Sequence, residues 1–138
     1  MEPSMFFTST LISPVHAFDR EESAHMVRVM RMREGDACRL TNGKGMLCEC
    51  RVSDASPKQC TVEILSSRFV EPESPSLHIA IAPTKNINRF EWFLEKATEI
   101  GIREITPVIC SHSERNVLKT DRLQKVLIAA LKQSHQYW

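Results

Sequence analysis

The hydrophobic and polar positions of the first 70 residues predict a short helix followed by antiparallel strands. Asp19 with Glu22 three positions later is typical of a capped helix start, and we expect the helix to cover about residues 20–31. Three later runs alternate in polarity and are separated by turn-forming residues: 37–42, 46–53 and 59–69. In the middle run, Cys48, Cys50 and Val52 share one predicted face, and Leu47, Glu49 and Arg51 share the other. Short strands joined by tight turns predict a small antiparallel β-barrel.

From residue 77 onward the pattern changes to strands that alternate with helices. Residues 77–82 and 104–110 are almost continuously apolar, as expected of strands covered on both faces. Apolar residues then recur at helical spacing over 90–100 and 123–131. Gly101 falls where a helix ends in a left-handed residue. This order predicts a parallel α/β sheet, so the whole chain is of the α/β class.

The segment 70–76 has no periodicity and is rich in Pro, Glu and Ser, which is typical of a linker. We therefore expect two domains, 1–72 and 73–138, and we expect Asn88 (with Glu91) and Asp121 to begin the two helices of the second domain. Two strands and two helices cannot cover both faces of a parallel sheet. We therefore expect the chain to be the front part of a larger protein, with several strand residues partly uncovered: Leu77, Ile79, Ile81, Val108 and Ile109.

Composition excludes several classes of protein. Eighteen Lys and Arg against seventeen Asp and Glu give a net charge of +1, so no overall charge selects a partner. No apolar run approaches the ~20 residues that cross a bilayer, and no signal peptide is evident, so we expect a cytoplasmic protein without a membrane partner. Four glycines, never clustered as a Rossmann fingerprint or P-loop requires, exclude those nucleotide sites within these residues.

The five cysteines form no C-x-x-C pair, and the five histidines lack ligand spacing. This pattern predicts reduced, buried thiols that act as small apolar side chains, without disulfides and without a metal site.

Basic residues cluster in two places. Arg28, Arg31 and Arg33 have no acidic residue among them, and their guanidinium groups favour phosphate binding, although a solvated helix face is the alternative. The second cluster begins after the second apolar strand and is opposed only by Asp121: Arg115, Lys119, Arg122, Lys125 and Lys132. Its first residues follow the carboxyl end of a predicted parallel strand, where open α/β sheets bind ligands. A solvent-exposed loop is the alternative there.

Glu91, Glu95 and Glu99 stand four residues apart and form one column of like charge on the predicted helix. In one interpretation, the positive charge of Lys96 offsets the negative charge of Glu99. In the other, an arginine from a neighbouring loop or subunit binds Glu99.

Two segments resemble the RsmE family: EESAHMVRVMRMREGDACRLTNGKG (21–45) and APTKNINRFEWFLEKATEIGIREITPVICSHSER (82–115), followed by Lys132-Gln133-Ser134. Met30 and His135 depart from the residues usual in that family. The family consists of 16S ribosomal RNA methyltransferases that methylate uridine N3 with S-adenosylmethionine. The resemblance implies a PUA-like barrel, the first part of a SPOUT domain, and a homodimer. It also implies that the donor-binding knot lies beyond residue 138, so that this chain alone holds no cofactor-binding residues and is inactive.

Within this resemblance Arg115 is the candidate catalytic residue, because positive charge near the uracil oxygens favours loss of the N3 proton. Phosphate positioning is its alternative role. The expected RNA contacts are Arg28, Arg31, Arg33, Lys85, Arg89, Lys119 and Arg122, while Glu99 and Gly101 are expected to be structural or interface residues. Two other functions stay open: a stand-alone RNA-binding module and an α/β protein-interaction domain.

Overall fold

The structure is a computed structural model that describes residues 2–10, 14–72, 76–109 and 118–138. The chain forms two compact units, Met1–Glu71 with Tyr137 and Pro72–Gln136 with Trp138, called here the N-terminal and C-terminal units. Within the described ranges, no helix is both long enough and apolar enough to span a membrane.

The N-terminal unit is built on a five-stranded sheet with strand order β1-β3-β4-β5-β2. Its strands are β1 (Ser4–Phe7), β2 (Val15–Ala17), β3 (Ala37–Thr41), β4 (Met46–Asp54) and β5 (Thr61–Phe69). Although β1 and β2 lie at opposite edges, the rings of Phe6 on β1 and Phe18 just after β2 are 6.0 Å apart. The sheet therefore curls into a partly open barrel, with no β1–β2 ladder among the described residues.

The three long strands agree with the alternating runs, but the expectation of a wholly antiparallel barrel is wrong at one edge. β1 pairs with β3 in parallel, whereas the β2–β5, β3–β4 and β4–β5 pairs are antiparallel. Strands β1 and β2 have only four and three residues, too few for alternation to predict them. Their pairing partners are distant in sequence, so only the folded chain defines them.

The barrel interior is closed by buried apolar side chains: Phe6, Phe18, Met26, Met32, Cys38, Leu40, Cys48, Cys50, Val52, Cys60 and Val62. The predicted inner face of β4 is confirmed, since Cys48, Cys50 and Val52 are buried, but Leu47 on the other face is buried as well.

Four of the cysteines are free and buried, as predicted, while Cys110 lies outside the described residues. Burial raises the pKa of Cys48 to about 11, and contact with the Cys38 thiol together with burial raises the pKa of Cys50. The thiols of Cys48 and Cys50 therefore stay protonated at neutral pH, and the buried cysteines pack as small apolar groups.

The first helix begins where Asp19 predicts it. The Asp19 carboxylate accepts a 2.8 Å hydrogen bond from the Glu22 backbone N–H, and α1 covers Arg20–Ala24. The regular helix stops there, because His25–Val29 continues as a π-helical turn. The predicted helix over about residues 20–31 is therefore confirmed to Val29, but its second half is π-helical rather than α-helical.

The C-terminal unit follows the predicted order, with β6 (His78–Ile81), α2 (Ile87–Glu99), β7 (Glu104–Pro107) and α3 (Thr120–Ser134). Strands β6 and β7 pair in parallel, with Ile79 opposite Ile105. Phe90 and Leu94 on α2 pack against Leu123 on α3, and Ile81 and Ile105 from the strands pack against this cluster.

The ends of α2 differ in how well the sequence predicts them. Asn86, not Asn88, is the N-cap: its side-chain oxygen accepts a 3.0 Å hydrogen bond from the Asn88 N–H. Gly101 does end the helix with a φ of 91°, and the Gly101 and Ile102 N–H groups donate to the Thr98 and Ala97 carbonyls. These two bonds form a Schellman motif, so the prediction for Gly101 is confirmed.

Helix α3 begins at Thr120, one residue before the predicted Asp121. The expected partial exposure of five apolar residues is also confirmed, although β6 and β7 are shorter than predicted and leave Leu77, Val108 and Ile109 just outside the strands. Leu77 and Ile109 are 54% and 49% exposed, and Ile79, Ile81 and Val108 are half-buried.

Candidate nucleic-acid interface

The N-terminal unit displays a short basic loop, residues 28–33, that we call the arginine loop. The side chains of Arg28, Arg31 and Arg33 are all exposed on it. Between them, Val29 and Met30 are 66% and 43% exposed. The loop thus presents cationic and apolar groups side by side.

A wide turn of backbone carries the arginine loop away from the helix. The Met30 N–H donates to the His25 carbonyl, and the Met32 N–H donates to the Met26 carbonyl, both at 3.0 Å. These bonds span five and six residues, whereas an α-helix spans four. Met26, two residues before the loop, and Met32, near its end, are 0% and 8% exposed, so the barrel core anchors the loop from both sides.

Arg31 adopts a backbone conformation that is unusual for its residue type. Its φ is 55°, in the left-handed region that favours glycine. A non-glycine residue there costs about 1 kcal/mol or more. Such strain and π-helical turns are both concentrated at functional sites of proteins.

A tight turn fixes the far end of the loop. The Asp36 N–H donates to the Arg33 carbonyl at 3.0 Å, and the Asp36 carboxylate accepts from the Arg33 backbone N–H at 2.8 Å. Gly35, with a φ of 91°, donates its N–H to the Val52 carbonyl on β4. Arg33 is therefore held at a defined position on the sheet.

Among the described residues, no ion pair involves the guanidinium groups of Arg28, Arg31 or Arg33. The nearby Asp36 carboxylate is already used by the backbone. Three exposed guanidinium groups on a well-anchored loop suit phosphate oxygens, which they can bind in a bidentate manner.

The structure describes the second predicted basic cluster only in part. Arg115 lies outside the described residues, so the structure does not place it. Lys85 and Arg89 are exposed around the start of α2, and Lys119 is exposed at the N-cap of α3. These three side chains are accessible to a ligand of the C-terminal unit.

Arg122, predicted as an RNA contact, has a partner inside the chain. Its Nε donates to Glu91 Oε1 at 3.0 Å, which links α3 to α2, and this hydrogen bond raises the pKa of Arg122. Its side chain is 66% exposed, so the remaining N–H groups still face solvent.

The column of like charges on α2 is relieved within the chain. Glu91 pairs with Arg122, and Lys96 lies 3.3 Å from Glu99 and 3.5 Å from Glu95. The predicted relief of Glu99 by Lys96 is confirmed. Surface pairs of this kind contribute little to stability, about 0–1 kcal/mol each, but they offset the repulsion along the helix.

Sequence reasoning missed Trp92, which is 62% exposed on α2. It borders a groove of about 460 Å³ between α2 and α3, together with Asn88, Glu95 and Val126. In the sequence, Trp92 lies outside the apolar stripe formed by Phe90, Phe93 and Leu94, and this position alone could have predicted its exposure.

In the four described ranges, no three His, Cys, Asp or Glu side chains come together in a way that could hold a metal ion.

Comparison with known families defines the class. Residues 18–65 match the RNA methyltransferase PUA domain, and residues 72–138 match the RNA methyltransferase domain. The chain belongs to this family of RNA methyltransferases, which confirms the resemblance drawn from its motifs.

Among individual proteins, the chain is similar to ribosomal RNA methyltransferases. Ribosomal RNA small subunit methyltransferase E of Bacillus subtilis is 26% identical over 90% of this chain and 51% of its own length. A similar enzyme of Buchnera aphidicola is 25% identical over 86% of this chain and 50% of its own length. The chain therefore spans about half the length of the curated relatives that it matches.

Two solved structures share the fold. A probable rRNA-methyltransferase from Porphyromonas gingivalis is 36% identical with a TM-score of 0.85, covering 97% of this chain and 56% of its own. Ribosomal RNA small subunit methyltransferase E from Neisseria gonorrhoeae, bound to S-adenosyl methionine, is 26% identical with a TM-score of 0.79. That alignment covers 99% of this chain and 58% of the other.

Proposed function

We propose that this chain acts in the S-adenosylmethionine-dependent methylation of uridine N3 in 16S ribosomal RNA. In this proposal residues 1–72 are a PUA-like RNA-binding domain and residues 73–138 are the first part of a SPOUT methyltransferase domain. The working form is a homodimer, which sedimentation velocity tests. The observation that carries RNA binding is the arginine loop, three exposed guanidinium groups anchored on the PUA-like unit, and methyl transfer is supported by the match of residues 72–138 to the RNA methyltransferase domain.

The first experiment measures RNA binding by the purified chain at several salt concentrations. Replacing Arg28, Arg31 and Arg33 with Ala should weaken binding and reduce the slope of log affinity against log salt by roughly three at most, because each phosphate contact releases about one counterion. A matched variant replaces three other exposed cations of the same unit, Lys44, Lys58 and Arg68. Equal losses of RNA affinity in both variants would mean that the arginine loop contributes only through its general positive charge.

The described residues do not fit the methyl donor. Tight approach of backbone amides to a ligand needs glycine, and Gly101 in the C-terminal unit ends α2, with its N–H donated to the Thr98 carbonyl. The groove beside Trp92 is lined by the Glu91–Arg122 ion pair rather than by free amides. We propose that the donor site lies beyond residue 138.

Calorimetric titration of the 138-residue chain with S-adenosylmethionine tests this placement. No heat of binding is expected at micromolar donor. Binding at that concentration would mean that these residues build the donor site after all.

For Arg115 we propose a role in lowering the cost of removing the uridine N3 proton. Its positive charge beside the uracil oxygens would stabilise the anion formed when that proton leaves. In the protein that carries the donor site, Arg115→Ala should lower turnover more than RNA affinity, with Arg115→Lys retaining part of the turnover. Equal losses of turnover and affinity would make Arg115 a phosphate contact.

A non-catalytic RNA-binding module is the second candidate function, favoured by the poor fit of the described residues to the donor. Transfer of a labelled methyl group to 16S RNA separates the two. A protein-interaction domain would show no salt-dependent RNA affinity.

A further inference from the structure

We propose that the arginine loop recognises unpaired nucleotides, with Val29 and Met30 contacting a base while the neighbouring guanidinium groups hold its phosphates. This inference rests on the proposed RNA-binding function and adds the kind of RNA that the loop selects. It is carried by the juxtaposition of exposed apolar and cationic side chains on one anchored turn.

The exposure of Val29 and Met30 is imposed by the backbone. Within two consecutive turns, Met26 and Met32 are buried at 0% and 8%, whereas Val29 and Met30 are 66% and 43% exposed. Two hydrogen bonds enclose these residues: the Met30 N–H donates to the His25 carbonyl in the π-helical turn, and the Met32 N–H donates to the Met26 carbonyl in a wider turn. The left-handed Arg31 then returns the chain to the core.

Apolar side chains held in water gain free energy when a ligand covers them. The flanking charges select the ligand: Arg28, Arg31 and Arg33 attract phosphate, so the covering group belongs to a nucleic acid. A methionine thioether also makes favourable contacts with aromatic rings, and nucleobases are aromatic.

The same reasoning selects unpaired over paired RNA. In an RNA duplex the base faces are stacked against one another, and the surface shows phosphates, hydroxyl groups and base edges. An apolar side chain finds no flat apolar partner there. An unpaired base exposes its face, and arginine can stack beside it while binding the adjacent phosphate.

The test compares two probes with equal numbers of phosphates: an RNA hairpin with an unpaired loop, and a fully paired RNA duplex. The intact chain should bind the hairpin about three- to tenfold more tightly. The double variant Val29→Ser/Met30→Ser should lose this preference, with unchanged duplex affinity and unchanged salt slope. The control Leu65→Ser removes an apolar side chain on β5 that is 51% exposed, and it should change neither affinity.

Equal affinity of the intact chain for both probes, or a preference that survives in the double variant, would overturn this inference. The proposed RNA-binding function would stand in that case if the triple arginine variant still showed a weaker affinity and a reduced salt slope. Absence of salt-dependent binding to either probe would overturn both.

Discussion

The helical segment 20–29, which ends in the π-helical turn, and helix α2 are each followed after one further residue by a left-handed residue, but the two positions use different amino acids. In the C-terminal unit the residue is Gly101, with a φ of 91°, which adopts this conformation without strain. In the N-terminal unit it is Arg31, with a φ of 55°. The backbone conformation is similar, but a residue with a side chain bears a conformational cost there, as does His135, the left-handed residue that ends α3 with a φ of 55°. The comparison teaches that glycine ends α2 without a conformational cost that Arg31, on the candidate interface, has to bear.

The two units also differ in how completely they bury their apolar residues. The barrel interior contains side chains such as Met26, Leu40 and Val62 that are fully buried. In the C-terminal unit, Leu77 just before β6 and Ile109 just after β7 remain about half exposed. Core substitutions should therefore be most damaging in the N-terminal unit, where the arginine loop depends on its anchors.

The largest expected effect comes from removing one anchor of the arginine loop. Met26→Ala should lower the free energy of unfolding by about 2–5 kcal/mol, because a fully buried side chain leaves a cavity. Met30→Ala, in the same loop but 43% exposed, should change it by about 0.5 kcal/mol or less. Chemical denaturation measures both, and similar losses would mean that the loop is not anchored as described.

A second prediction concerns the glycine end of α2. Gly101→Ala should cost about 1–2 kcal/mol, because a side chain is disfavoured at a φ of 91°. An added Cβ meets no atom within 4 Å, so the cost arises from the backbone alone. Gly101→Asn should cost less, since asparagine tolerates the left-handed region better. Thermal unfolding followed by circular dichroism checks the order, and an alanine variant as stable as the parent would contradict it.

The reverse change at Arg31 sharpens the comparison. Arg31→Gly should raise the free energy of unfolding by about 0.5–1 kcal/mol and weaken RNA binding, because it relieves strain and removes a charge. Arg31→Ala removes the same charge but keeps the strain, so it should weaken RNA binding without any gain in stability. Denaturation and RNA titration of both variants are the measurements. A stability gain in the alanine variant would show that charge repulsion, not backbone strain, is being relieved.

The smallest expected effect is a pH dependence carried by the N-terminal unit. His16 on β2 is 8% exposed and stacks edge-on against Phe18, and burial lowers its pKa below the ordinary value of 6.5. The unfolded chain therefore takes up a proton first as the pH falls below 6.5, so stability that is present above this pH is lost toward the lower pKa of the folded state. His16→Gln should reduce the difference in Tm between about pH 7.5 and about pH 5.5. An unchanged difference would assign the pH dependence to other groups.

Local patterns were sufficient for much of the fold. The cap at Asp19, the long strands β3, β4 and β5, and the Schellman end at Gly101 depend on residues within a few positions of one another. Side-chain periodicity and capping chemistry act over that range, so a sequence can be read for them. The buried face of β4 followed in the same way from alternation, although Leu47 broke the pattern.

The candidate interface was predictable in part. The arginines of the loop stood out because no acidic residue lies among them, and the resemblance to a known family agreed with that pattern. The exposure of Val29 and Met30 could not be predicted, because an apolar residue in a helical segment is expected to be buried. Arg122 was predicted as an RNA contact, but its pairing with Glu91 on another helix became visible only when the helices packed.

By itself, then, the sequence determined the family, the order of the main elements and the identity of the basic residues, because each of these depends on residues that are close together in the chain. The tertiary structure alone decided the parallel pairing of β1 with β3, the closing contact of Phe6 with Phe18, and the π-helical turn that exposes the loop. These features depend on burying Met26 and Met32 in one barrel core together with residues far away in the chain. The free energy of that shared core outweighs the local preference for a regular helix and holds Arg31 in a conformation that its own residue type disfavours.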